Sequence, residues 1–129
     1  MKEQSKFKEF FVSRVKAFDY AFQGLGYMMR TQRNAWIHIL ASVCAIGLSI
    51  ILPLNRAEWG LIVIAITLVW MAEAINTSIE ALVDLASPEH HDLAKIAKDC
   101  AAGGVLIAAI GAAVIGFIVF LPHLIQVFS

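Results

Sequence analysis

The chain has 129 residues, 60% of them apolar and 16% charged, with a mean hydropathy of +0.76. Soluble domains run near 45–50% apolar and about 25% charged, so a water-soluble enzyme is excluded and a single integral-membrane domain over 1–129 is expected. Ten Lys+Arg balance ten Asp+Glu, which excludes an overall basic nucleic-acid binder.

The N-terminal stretch is amphipathic. Phe7, Phe10, Phe11, Val15, Phe18, Phe22, Leu25 and Met29 recur at steps of three and four, with Lys8, Arg14, Lys16, Asp19 and Gln23 mostly elsewhere. That pattern predicts a helix over 5–30 lying in the headgroup layer, weakened or bent at Gly24 and Gly26. Three runs are then long enough for a bilayer core of about 30 Å, which needs roughly 20 helical residues. They cover 35–54, closed by Pro53, then 59–83, and 100–121, closed by Pro122. Connections at 55–58 and 84–99 make neighbours antiparallel. Seven basic residues precede the first span (Lys2, Lys6, Lys8, Arg14, Lys16, Arg30, Arg33), and Lys95 and Lys98 follow the second. Arg56 stands alone on the other side, which predicts a multi-pass membrane protein with a cytoplasmic N-terminus. Cys44 and Cys100 sit in apolar runs without a C-x-x-C spacing and read as buried thiols.

The second span carries the chemistry. At about 100° per residue, Glu73, Asn76, Glu80 and Asp84 fall at roughly 0°, −60°, −20° and +20°, on one stripe. With Trp59 at the outer boundary, Glu73 lies ~9 Å below the inner boundary, Glu80 at it and Asp84 in the headgroups. An intramembrane carboxylate marks a functional site by default. An interhelical hydrogen-bond clamp needs one or two polar groups, whereas three carboxylates on one face repel unless a cation sits among them. Mg²⁺ with phosphate meets that need, because it commonly uses one or two carboxylates plus phosphate oxygens.

The next segment supplies positive charge. Ser87-Pro88-Glu89 reads as an N-cap with Pro at the first helical position, followed by His90, His91 and then Lys95 and Lys98, one turn apart. The two lysines suit polyphosphate, although for Lys95 a plain positive-inside anchor is the preferred reading. Adjacent histidines point about 100° apart on a helix and make a poor zinc pair. No Walker A motif or GxGxxG is present.

Glu73-Ala74-Ile75-Asn76-Thr77-Ser78-Ile79-Glu80, then Asp84 and Ala97-Lys98-Asp99, resembles the signature of the small prokaryotic diacylglycerol kinases, and the resemblance runs from about Arg14 to Leu121. It implies a homotrimer of three-span subunits behind an amphipathic helix, with active sites shared between neighbours. It implies Mg²⁺-dependent transfer of the γ-phosphate of ATP to a membrane-lipid hydroxyl. Carried over residue by residue, Glu73 matches the general base, and Glu80 a carboxylate that binds metal with ATP. Lys98 and Asp99 match the pair at the nucleotide, with Glu89, His90 and His91 along the same loop. Tyr20 and Arg14 match nucleotide contacts from the amphipathic helix, and Asn76 and Asp84 match motif positions without separate roles. The family's second metal carboxylate falls at Gln32, whose amide brings an oxygen but no charge, so the second metal ligand stays open.

Arg33-Asn34-Ala35-Trp36-Ile37-His38, Glu58-Trp59 and Ser87-Pro88-Glu89-His90-His91 look closer to the undecaprenol-phosphorylating branch than to the diacylglycerol-specific one. Two rival classes are a proton-relay or transport subunit and a non-catalytic assembly protein. The first calls for polar residues across the whole membrane, whereas the stripe fills one end of one span. The small residues of the third span, from Ala101 to Gly116, suit the second rival and a trimeric enzyme equally.

Overall fold

A bilayer interior offers no water to backbone N–H and C=O groups, so an apolar run that spans it satisfies them internally, as a helix. The computed structural model is all-helical and describes residues 2–129. The side chains of residues 2–5 and 7 lie outside the described residues, and with them Lys2 of the basic count and Phe7 of the N-terminal stripe. In chain order the helices are α1 (Lys2–Thr31), α2 (Asn34–Ile51), α3 (Arg56–Ala86) and α4 (Asp92–Phe128). The last three are each long and apolar enough to cross a membrane. At 1.5 Å per residue α3 and α4 measure ~46 and ~55 Å, so both reach past an apolar core of about 30 Å. Their shared end, around the connection 87–91, carries Glu80, Asp84, Lys95 and Lys98.

The helix ends follow from local chemistry. Leu52 turns extended (φ −86°, ψ 148°) ahead of Pro53, because the proline ring disfavours helix in the residue before it. Asn55 then opens α3 with a capping box: its side chain accepts from the N–H groups of Ala57 and Glu58, and the Glu58 carboxylate accepts from Asn55 N–H at 2.8 Å. At the other end Ser87 closes α3 instead of opening the next helix as its Ser-Pro pattern predicts. Its N–H bonds back to Val83, and its hydroxyl donates to the Glu89 carbonyl. The cap of α4 is His91, whose Nδ1 accepts from Leu93 N–H at 3.1 Å.

Pro122 does not end the third span as expected; α4 runs through it to Phe128. The proline removes one helical N–H donor. Two contacts hold the far segment in place: Leu124 packs on the cluster Leu52, Ile62, Val119 and Phe120, and His123 Nε2 lies 3.1 Å from Glu58 Oε1.

α3 packs chiefly on α4, with α2 alongside and α1 meeting α3 through its C-terminal half. α1 is one unbroken helix through Gly24 and Gly26, neither of which has a positive φ. Phe10, Phe11, Phe18 and Phe22 are exposed on the single chain, as an interfacial face requires. The α1 residue that turns inward is Met28, next to the stripe's Met29 and facing Ala74, Thr77 and Ala81 of α3. Cys44 and Cys100 are exposed free thiols and not buried ones, because their faces of α2 and α4 point away from the chain's own bundle. Hydroxyls inside the spans are satisfied locally: Ser49, Thr67, Thr77 and Ser78 each donate to the carbonyl four residues back.

Candidate functional site

Residues three, four and seven apart on α3 share one face, so the helix aligns Glu73, Asn76 and Glu80 along its length. These three close the floor of a cavity of about 220 Å³, with Gln32, Asn34 and His38 on one side and an apolar α4 wall that includes Ala102, Val105 and Ala109 on the other. The polar stripe read from spacing therefore faces inward from Glu73 to Glu80, while Asp84 at its end is exposed.

Glu73 is the most deeply placed carboxylate, 1% exposed. Neither of its oxygens has a hydrogen-bond partner among the described residues. His38 Nε2 stands 3.5 Å from Glu73 Oε2, a close approach without hydrogen-bond geometry, and it too is unpartnered among the described residues. Asn76, buried one turn on, donates to Glu80 Oε1 at 3.2 Å, and its own Oδ1 is left without a partner among the described residues.

Gln32 arrives from the α1–α2 junction and donates to Glu80 Oε2 at 2.5 Å. Residues 48 apart in sequence thus meet beside the cavity. The donor set is all oxygen and amide: one carboxylate (Glu80), an orphaned amide oxygen (Asn76) and a second amide (Gln32). That is hard-donor chemistry, which suits Mg²⁺ and its retained phosphate and water ligands better than a thiophilic or imidazole-seeking metal. Among the described residues no three His, Cys, Asp or Glu side chains cluster as a closed metal site.

Beyond Glu80 the surface becomes a set of ion pairs. Lys98 donates to Asp84 at 2.5 Å across the connection, joining the ends of α3 and α4. Lys95 pairs with Asp99 one helical turn on, and His90 lies 3.9 Å from Asp92. The hydrogen bond to Asp84 holds the Lys98 ammonium above the ordinary lysine range, and that to Asp99 does the same for Lys95. Both lysines are thus held as charged partners of carboxylates near the connection between α3 and α4. His91 is occupied as the α4 cap through Nδ1, and Glu89 is exposed.

The structure thus brings together Glu73, Asn76, Glu80 and Gln32, with Asp84, Lys98, Lys95 and Asp99 at the next level out. It does not bring Arg14 or Tyr20 to them within one chain. Arg14 stacks over Phe10 of its own helix (5.2 Å to the ring centroid), ~27 Å along α1 from Gln32, and Tyr20 is exposed ~18 Å from it. His38 joins the cluster although no role was read for it from spacing. A lone ionisable group in an otherwise apolar span was the signal that could have marked it. Behind His38 and Ala109, which line both spaces, lies a second cavity of about 320 Å³ walled by small and apolar residues such as Ala45, Ala65, Ala112 and Gly116.

Comparison with known proteins finds relatives over most of the chain. The family model described as prokaryotic diacylglycerol kinase matches residues 19–120. A diacylglycerol kinase of Synechocystis is 41% identical over 111 residues, which cover 85% of this chain and 63% of that protein. The undecaprenol kinase of Bacillus subtilis is 38% identical over 109 residues, covering 84% of this chain and 89% of that protein. The diacylglycerol kinase of Escherichia coli K12 is 32% identical over 121 residues, with 88% and 93% covered. A buried carboxylate in a membrane span, an amide-flanked second carboxylate above it and this extent of likeness converge, and the chain belongs to the prokaryotic diacylglycerol kinase family of membrane lipid kinases.

Proposed function

We propose that the chain transfers the γ-phosphate of ATP to the primary hydroxyl of a membrane lipid at the cytoplasmic boundary, with undecaprenol favoured over diacylglycerol. The observation that carries the reading is Glu73, a buried carboxylate with both oxygens free of donors, facing a cavity shared with Glu80 and Gln32. A carboxylate so placed can accept a proton from a hydroxyl that comes from the lipid side. The lipid oxygen then bonds to the γ-phosphorus, the bond from that phosphorus to the β–γ bridging oxygen breaks, and ADP leaves with its electron pair.

Phosphoryl transfer depends mainly on in-line placement and neutralisation of phosphate charge. Glu80, with Asn76 Oδ1 and Gln32 as neutral oxygens, would hold Mg²⁺, whose chemical contribution is to neutralise the phosphate oxygens. Lys98, freed from Asp84, and Asp99 beside it serve the nucleotide, with Glu89, His90 and His91 along the connection. Arg14 and Tyr20 reach a neighbour's nucleotide in a homotrimer with shared sites. Their separation from Gln32 within one chain supports that assignment, as does the exposed apolar surface of α2 and α4. The Ala-lined cavity behind His38 fits an apolar chain and offers it no charge.

The undecaprenol preference rests on the likeness of 33–38, 58–59 and 87–91 to that branch; relatives named for either lipid are comparably similar. Purified protein in mixed micelles, assayed on each lipid separately, tests it. A higher kcat/KM for undecaprenol is expected, and a higher value for diacylglycerol would reverse the preference.

Two further results follow from this reading. With the N-terminus in the cytoplasm, the capping turn at Asn55 is external, so Asn55→Cys in a chain with Cys44 and Cys100 replaced is expected to label with an impermeant maleimide added to intact cells. Labelling only after the inner face is opened would invert the topology. Gln32→Glu would set a second carboxylate against Glu80 and is expected to lower the Mg²⁺ midpoint for activity severalfold with lipid preference unchanged. An unmoved midpoint would mean that Gln32 is not at the metal.

A further inference from the structure

His38 lies on α2, outside the motif on α3. Its surroundings are specific. The ring meets Trp70 edge-on (centroids 6.2 Å apart, planes at 72°), and Trp70 Nε1–H donates to Ser42 Oγ at 3.1 Å, which fixes the indole beside it. Nε2 is thereby aimed at Glu73, 3.5 Å from Oε2, in a place where neither atom has another hydrogen-bond partner among the described residues. The other carboxylate lining the cavity, Glu80, is already taken by Asn76 and Gln32. The α4 wall is apolar there, through Ala102, Val105, Leu106 and Ala109.

A buried carboxylate without a donor is a poorly oriented and poorly stabilised base, because an unpartnered charge in a low dielectric is costly. A side-chain rotation of His38 closes the remaining gap to hydrogen-bond distance. We propose that His38 is the positioning residue for Glu73: its Nε2–H donates to Oε2, fixes the carboxylate plane, and leaves Oε1 to receive the lipid hydroxyl proton. The role rests on the reading of Glu73 as the base. It resembles the partnership that orients a base through a second group in other enzymes, with donor and acceptor reversed.

The competing role is structural, with His38 as an aromatic filler against Trp70, and two substitutions separate them. His38→Phe keeps a ring beside Trp70 and removes the donor. His38→Gln removes the ring and keeps an N–H. Loss of a hydrogen bond to a charged group corresponds to about 10- to 100-fold in rate. The expected result is a kcat lowered by that factor in His38→Phe, with KM for ATP within twofold of wild type, and most of the turnover retained in His38→Gln. If both variants are slow, added imidazole with His38→Ala decides: recovery of turnover supports the donor role, and no recovery overturns it. A His38→Phe enzyme as fast as wild type also overturns it. That outcome leaves the lipid kinase reading intact, whereas wild-type protein that labels neither lipid would remove the reading itself.

Discussion

Glu73→Gln is expected to lower kcat by about 10²- to 10⁴-fold while leaving Mg²⁺-ATP affinity within about twofold of wild type. The amide is nearly the same size as the carboxylate and fits the same buried place, so packing between α3 and its neighbours survives. It cannot accept the hydroxyl proton. Lying deeper along α3 than Glu80, Glu73 has no hydrogen bond to Gln32, Lys98 or the other groups read for the nucleotide among the described residues, so affinity has no reason to change. Equilibrium binding of Mg²⁺-ATP and steady-state turnover, measured on the same protein, separate the two effects. A variant that loses affinity and keeps its turnover at saturation would exchange the roles of the two glutamates.

The complementary expectation concerns Glu80→Gln, for which the Mg²⁺ concentration at half-maximal activity is expected to rise at least about tenfold. Glu80 now accepts from two amides, Asn76 and Gln32. Those hydrogen bonds can be rebuilt around a glutamine by amide flips, since Asn and Gln each carry a donor and an acceptor end. The negative charge cannot be rebuilt, because both hydrogen-bond partners are neutral amides, and a hydrogen bond to a charged group is worth about 1.5–3 kcal/mol. Activity titrated against Mg²⁺ at fixed ATP reads the shift. An unchanged midpoint would place the cation on Asp84 or on the phosphates alone.

What could be read from the sequence, and what could not, divides along a physical line. Helical periodicity fixes which residues share a face of one helix, so the stripe from Glu73 to Asp84 was legible, as were three apolar helices long enough to span. Periodicity on one helix carries no information about which face of another helix meets it. The pairing of His38 with Glu73 and the contact of Trp70 with Ser42 were therefore silent. The hydrogen bond of Gln32 to Glu80 was silent too, since only family resemblance had pointed to Gln32 and it left the second metal ligand open. Near the connection two caps compete within five residues. Pro88 stops α3 and so makes Ser87 its end, which leaves the opening of α4 to His91. Pro122 reads as a stop in isolation, and the long-range partners that carry the helix past it, Glu58 to His123 and the cluster around Leu52, are absent from any local window. Lys98 was read toward phosphate, and its partner Asp84 is brought to it by the antiparallel return of the chain, fourteen residues away in sequence.

The most direct test of the central claim follows the phosphate itself. Purified protein in lipid micelles is given Mg²⁺ and ATP labelled at the γ-phosphate, with undecaprenol or diacylglycerol as acceptor, and the organic-soluble label is counted beside a Glu73→Gln control. The account predicts label in a lipid monophosphate for the wild type, and a count lower by about 10²- to 10⁴-fold for the variant. Label in neither lipid, from folded protein that binds Mg²⁺-ATP, would contradict it, as would equal labelling by the two proteins.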